Sequence, residues 1–291
     1  MATLRDIKRK IAAVRKTRQI TRAMNMVAAS RLKSTQGKME NFEPYARKFA
    51  EVLGNLAGRI DREVHSLLML KERVSRVELL HFTADRGLCG SFNMNLILKG
   101  ERWLKEQKEA GLDCSVTVVG KKGRDYFRKK GVTITNAYTN IYGSVDISFV
   151  NKMTSGFITR YLADEVDEVY IVYSRFVSMA RQEPTLVKLL PIEPPGMEER
   201  GETGVEYLYE PSAEALLIEL LPKHISVQIL NAFLQQETSE HAARMAAMDN
   251  ATKNCSDLIG NLTLVYNKAR QAAITAELMD IVGGAEALRN A

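Results

Sequence analysis

Apolar residues in the first sixty positions recur at the three-and-four spacing of one helical face. Leu4, Ile7, Ile11 and Val14 come first, followed by Ile20, Met24, Val27, Ala28 and Leu32. Pro44 is the only proline of this stretch and no glycine precedes Gly37. The spacing predicts one helix over 1–60, kinked at Pro44 and loosened by Gly54 and Gly58. At 1.5 Å per residue such a helix is roughly 80 Å long, more than a compact domain of this mass can contain, so it is expected to project.

From 74 to 195 the period changes. VSRVELLHFT (74–83), CSVTVVG (114–120), VTIT (132–135), EVYIVYSRF (168–176) and TLVKLLPI (185–192) read as strands. Between them lie predicted helices over 91–111, 121–131 and 144–166, the last with Ser144 as N-cap. Strands alternating with helices predict an α/β layer domain, here Rossmann-like. The polar segment EPPGMEERGETG (193–204) marks a boundary. Beyond it Pro222 is expected to separate a short helix, capped by Ser212, from a long one reaching Val282.

That last helix carries a heptad-like seam at 234, 238, 241, 245, 248, 252, 255, 259, 262, 266, 269 and 273, which reads Leu, Thr, His, Met, Met, Thr, Cys, Ile, Leu, Tyr, Ala, Ala. The spacing is that of a coiled coil, but small, soft and polar residues replace the usual leucines. Ala242, Ala243, Ala246, Ala247, Ala272, Ala273 and Ala276 make its surface thin and smooth. The expected organisation is a shaft helix over 1–60 and a central α/β domain over 74–195. A second shaft helix over 207–291 pairs with the first as an antiparallel coiled coil, a rod with the α/β domain at the side of its base.

Charge sharpens this picture. The 291 residues carry a formal charge of +6, yet residues 1–40 hold eleven basic side chains against Asp6 and Glu40, a net of +9. The remainder is nearly neutral. Such a segment calls for an acidic partner: nucleic acid, lipid headgroups or acidic protein loops. Normal hydrophobicity and the absence of low-complexity tracts exclude a disordered chain. Three separated cysteines, Cys89, Cys114 and Cys255, exclude a disulfide scaffold and point to a reducing compartment. No apolar run is long enough to span a membrane.

Candidate chemistry is sparse. HFTADRGLCGSFNMN (81–95) has the strand–loop–helix context of a phosphate-binding turn, but lacks G-x-G-x-x-G and G-K-[ST]. Asp85, Arg86 and Cys89 invite a nucleophile reading, yet no motif pairs Cys89 with a base. A structural loop or interaction surface is the better reading. His65, His81, His224 and His241 form no metal-ligand spacing. Glu277 and Asp280 share a helix face, which fits a solvated or partner-facing helix better than a paired-carboxylate site. Catalytic, cofactor and metal residues are therefore none. Apolar residues on the outer faces of a two-helix rod require a sleeve, which must be another protein.

IKRKIAAVRKTRQITRAMNMVAASRLK (7–33), DRGLCGSFN (85–93) and ITAELMDIVGGAEA (274–287) together resemble the gamma subunit of F-type rotary ATP synthase, over essentially the whole length. The resemblance implies a non-catalytic rotor without a cofactor. Its coiled-coil shaft turns inside a ring of three alpha and three beta subunits, and its α/β domain meets the epsilon subunit and the membrane c ring. It implies beta-subunit or shaft contacts at Arg9, Arg22, Met24, Arg31, Lys33, Asp85, Arg86, Cys89, Arg244, Gln271, Thr275 and Glu277, with Glu277 paired to an arginine of the other helix. It implies a foot at Glu43, Tyr209 and Glu210, near the c ring and epsilon. Residues 193–210 hold no cysteine, so the redox control of plant chloroplast relatives is not expected. The chain begins directly at its helix, which points to a bacterial source and a place on the cytoplasmic face of the inner membrane. The alternative is a basic coiled-coil protein binding nucleic acid.

Overall fold

A computed structural model describes residues 3–57, 65–193, 210 and 212–289. The chain divides into two compact units: a terminal unit of 1–28 with 245–291, and a central unit of 29–244. Helix α1 spans Leu4–Ala57 and helix α5 spans Ala213–Arg289. Each contributes to both units.

In the terminal unit α1 starts on a reciprocal cap. The Thr3 hydroxyl accepts from the Asp6 amide at 3.2 Å, and the Asp6 carboxylate accepts from the Thr3 amide at 3.2 Å. The buried face then runs through Ile7, Ile11, Thr21 and Ala28. The sequence stripe is corrected here: Ile20 and Val27 are exposed, and their neighbours Thr21 and Ala28 are buried. A two-helix seam keeps the 3.5-residue repeat set by Ile7 and Ile11, and that repeat reaches 21 and 28, not 20 and 27. On α5 the predicted seam holds. From 252 to 273 it supplies half-buried residues at Thr252, Cys255, Ile259, Leu262, Tyr266, Ala269 and Ala273. The helices run antiparallel, since Thr21 meets Thr252 at 2.8 Å and Asn25 reaches the Met245 carbonyl at 2.9 Å.

The central unit holds a five-stranded sheet, ordered β3-β2-β1-β4-β5. The strands are β1 (Arg76–Phe82), β2 (Asp113–Val119), β3 (Thr133–Tyr138), β4 (Glu168–Phe176) and β5 (Gln182–Leu190). The first four are parallel and β5 is antiparallel to β4. Between them lie α2 (Phe92–Glu109), α3 (Lys121–Lys129) and α4 (Ile147–Leu162). Alternation along β1 sorts the two faces. Leu80 and Phe82 join α4, the end of α1 and the start of α5 in one cluster. Val77 and Leu79 join α2 and α3 in the other.

Two local expectations are corrected. Pro222 does not divide the last helix, while the first runs through Pro44 as expected. Leu217, Leu221, Ile225 and Ile229 are fully buried on either side of Pro222, and the residue whose carbonyl it frees, Ile218, is exposed to water. Pro44 and Glu40 likewise lie on the exposed face. Helix α4 is capped by Asp146, whose carboxylate accepts from the Phe149 amide at 2.8 Å. The Ser144 hydroxyl instead donates to the Ile141 carbonyl. Ser212 does cap α5, accepting from the Ala215 amide at 3.2 Å.

Candidate functional site

The loop after β1 gathers four of the expected residues. Asp85 accepts from the Lys121 amide through one oxygen and from the Asn140 amide through the other, both at 3.0 Å. It thereby ties together the loops that follow β1, β2 and β3. Asn93 accepts from the Ala84 amide at 2.8 Å and donates to the Arg86 carbonyl and to Cys89 Sγ. From α5, Arg244 donates to the carbonyls of Gly87 and Arg86 at 3.2 and 3.4 Å, and pairs with Glu240 at 2.5 Å. Cys89 is buried beneath this clamp. Burial pushes its thiol up, against the opposing pull of Arg244. A protonated, enclosed thiol is a poor nucleophile, so Cys89 packs the loop instead of reacting. Arg86 and Leu88 face solvent, and Leu88 adopts a left-handed φ of 64°. The loop is a rigid surface presenting one cation and one apolar side chain, not a pocket.

In open parallel sheets a nucleotide binds in the crevice where strand order reverses, here between the ends of β1 and β4. The chain's own α5 fills that place. Phe233 packs edge-on to Phe82 with ring centroids 4.7 Å apart. Gln236 and Gln235 accept from the Ser174 and Phe176 amides at 2.8 Å, and Ser239 donates to the Ser174 carbonyl. Tyr142 donates to the Thr83 carbonyl at 2.7 Å, and its burial raises the hydroxyl pKa well above the ordinary value. On the other side of β1, Gly120 follows β2 and passes close to Thr83. Its φ is +99°, and a Cβ there would lie 2.1 Å from the Thr83 carbonyl oxygen.

On the helices all eleven basic residues of 1–40 are exposed, Arg9, Arg22, Arg31 and Lys33 among them. Arg9 alone of the eleven forms an ion pair among the described residues, with Asp6 of its own first turn. Met24 is half-buried. Gln271, Thr275 and Glu277 are exposed, and the Thr275 hydroxyl bonds the Gln271 carbonyl of its own helix. The expected pairing of Glu277 with an arginine of α1 is not made among the described residues. Partners across the seam have residue numbers summing to 270–273, as in Thr21 with Thr252 and Asn25 with Met245. The partner level of Glu277 therefore falls before residue 1. Glu277 has no ion pair among the described residues, and every residue from Ile274 to Ala285 is exposed.

Of the foot, Glu43 and Glu210 are exposed and no hydrogen bond joins them; Tyr209 lies outside the described residues. Sequence reasoning missed Glu240, although its i,i+4 spacing to Arg244 was a readable signal. It also missed the cross-helix contacts of Thr21 and Asn25, and Gln235, Gln236 and Ser239, for which the sequence offered none. Among the described residues no three His, Cys, Asp or Glu side chains gather as a metal site, and no helix is long and apolar enough to cross a membrane.

A family model described as ATP synthase matches residues 3–288. The chain is 54% identical over 291 residues to the ATP synthase gamma chain of Syntrophobacter fumaroxidans, covering 99% of this chain and 100% of the relative. It is 49% identical over 292 residues to that of Nitratidesulfovibrio vulgaris Miyazaki F, with 99% and 100% covered. In fold it is similar to a chain in the cryo-EM structure of Euglena gracilis mitochondrial ATP synthase, OSCP/F1/c-ring, rotational state 3. The TM-score is 0.72 at 23% identity, covering 98% of this chain and 94% of that one. The rotor of the same enzyme in rotational state 1 gives 0.68 at 22%, covering 93% and 98%. Matched over nearly its whole length, and sharing more than half its residues with one such relative, the chain belongs to the ATP synthase gamma-chain family.

Proposed function

We propose that this chain is the central-stalk rotor of an ATP synthase, itself non-catalytic, that couples ion flow through a membrane c ring to ATP chemistry in an alpha/beta ring. The observation that carries the reading lies on the outer faces of the helix pair. There Ile20, Met26, Val27, Leu258, Leu264 and Val265 are exposed, on helices whose basic side chains in 1–40 have, Arg9 apart, no ion-pair partner among the described residues. Apolar side chains exposed together along a helix pair mark a surface for another protein. The relatives' names and the rotor and c-ring structures that the fold resembles point the same way.

Ala246, Ala272 and Ala276 are exposed on α5, so this part of its outer surface lacks deep interlocking and suits turning inside a sleeve. An asymmetric shaft presents a different face to each of three beta subunits. Each catalytic site is thus biased to a different state by differential contact, and rotation passes the states around. Arg9, Arg22, Arg31 and Lys33 face acidic loops of the beta subunits. The rigid loop at Asp85–Cys89, held by Arg244, bears on the lower edge of the ring, and Gln271, Thr275 and Glu277 contact it further along α5. Glu43, Tyr209 and Glu210 belong to the foot, near epsilon and the c ring. The divisions 1–60, 74–195 and 207–291 then serve as shaft, base and shaft. Docking on the c ring makes the chain peripheral, on the cytoplasmic face of a bacterial inner membrane.

Purified alone, the chain is expected to hydrolyse ATP negligibly. Added to purified alpha and beta subunits, it should restore rapid turnover. Robust intrinsic hydrolysis, or no effect on the alpha/beta mixture, would sink the proposal.

A further inference from the structure

We propose that the tip of the β4–β5 hairpin, residues 177–181, is a second bearing of the central unit on the alpha/beta ring. It docks on an apolar surface of the ring bordered by acidic side chains. The proposal rests on the rotor reading above and adds a contact which that reading does not contain.

The tip reads Val-Ser-Met-Ala-Arg. Ser178 is its one residue of a turn-favouring type; glycine, proline, asparagine and aspartate are absent. The tip is closed by hydrogen bonds all the same. The Val177 and Ser178 amides donate to the Arg181 carbonyl at 3.2 and 3.0 Å, and the Arg181 amide donates back to the Ser178 carbonyl at 3.2 Å. The Gln182 side-chain amide donates to the Ser178 and Met179 carbonyls at 3.0 and 2.9 Å. The base of the hairpin is held by α5, where Gln235 and Gln236 accept from the Phe176 and Ser174 amides. A tip fixed in this way loses little conformational freedom when a partner binds it.

What the tip presents is contact chemistry. Val177 is 48% exposed and Met179 57%, two large apolar side chains within three residues. Beside them Arg175 and Arg181 share the single carboxylate of Glu183, which leaves one positive charge over. The surface complementary to this is apolar with an acidic border. Topology selects the partner. Strands β1 and β4 are parallel neighbours, so the tip after β4 leaves the same end of the sheet as the loop after β1. Helix α5 holds both, through Gln235 at Phe176 and Arg244 at Gly87. The two also present the same chemistry, a cation with exposed apolar side chains: Arg86 with Leu88, and Arg181 with Val177 and Met179. A ring that meets the loop faces this end of the sheet, and with it the tip.

The full chain is prepared with photoreactive p-benzoylphenylalanine in place of Met179, of Arg86, or of Leu162, which is exposed at the opposite end of the sheet. Each protein is assembled with alpha, beta and epsilon subunits, assayed for ATP turnover and irradiated, and the linked peptides are identified by mass spectrometry. Positions 179 and 86 should both link to alpha or beta, and position 162 to neither. Adding Arg181→Glu should lower the yield at position 179 several-fold. Absence of ring links from position 179, while the unlabelled chain stimulates turnover, overturns the proposal and leaves the rotor reading standing. So do links from 179 to epsilon alone, equal linking from 162, or a yield at 179 that ignores Arg181→Glu. An unlabelled chain that fails to stimulate turnover sinks the rotor reading, and the proposal with it.

Discussion

At the scale of single residues, function is served by groups that are buried and held in place, not poised to react. The Arg244 clamp leaves Cys89 enclosed, and His81 sits in the core with its Nε2 bonded to the Leu96 carbonyl at 2.9 Å. Burial pulls His81 and His224 each down to about 4, from an unfolded value near 6.5. Between those values the folded chain holds fewer protons than the unfolded one. Stability is therefore full above about pH 6.5 and is lost as pH falls toward 4, by up to about 3 kcal/mol for each histidine. Urea unfolding midpoints should drop from pH 6.5 to pH 5, and His81→Leu should remove about half of that slope. Gly100 explains the fit around this ring. A Cβ there would lie 2.5 Å from His81 Cδ2, whereas one at Gly156, also inside a helix, meets nothing within 4 Å. Gly100→Ala should cost about 1–3 kcal/mol by overpacking, and Gly156→Ala should gain about 0.5–1 kcal/mol of helix propensity; paired denaturation curves measure both. The glycines look alike in the sequence, because the ring that separates them arrives from β1, nearly twenty residues away.

Elements were legible to the extent that their pattern was local. The seam of α5 was readable residue by residue from 252 to 273, since a heptad repeat is a property of one helix. The stripe of α1 was misread at Ile20 and Val27, because those apolar residues answer to an outer surface and the seam accepts Thr21 in their place. Pro222 misled for a related reason. Its helix-breaking cost of about 3 kcal/mol is real, but buried leucines and isoleucines on both sides of it outweigh that cost. Every residue from Ile274 to Ala285 is exposed, so this stretch of α5 buries little surface that could hold the helix pair. Ending the chain at Ala273 should therefore leave the thermal midpoint of the purified protein within about 2 °C of the parent's, followed by circular dichroism. A fall of about 10 °C would mean that the end packs on the chain after all.

For the molecule as a whole, the charge distribution decides which partners come near. Ten of the eleven basic side chains of 1–40 have no ion-pair partner among the described residues, so the segment will attract any polyanion. Binding to DNA should be weak, indifferent to sequence, and reduced steeply between 50 and 200 mM salt, as fluorescence anisotropy with unrelated duplexes would show. A strong preference for one duplex at 200 mM would favour nucleic-acid recognition over the acidic protein loops proposed here. The sequence alone determined the two long helices, the alternating strands and helices between them, the placement of the charge and the family signatures. Each of these is written in neighbouring residues or in a short period along the chain. Only the tertiary structure decided that α5 fills the crevice a nucleotide would occupy, that Arg244 closes over the loop at Gly87, and that Glu277 stands beyond the reach of α1. Those outcomes depend on which distant segments meet, and at what register. A helix period fixes the face that is buried but leaves open which residue lies across from it.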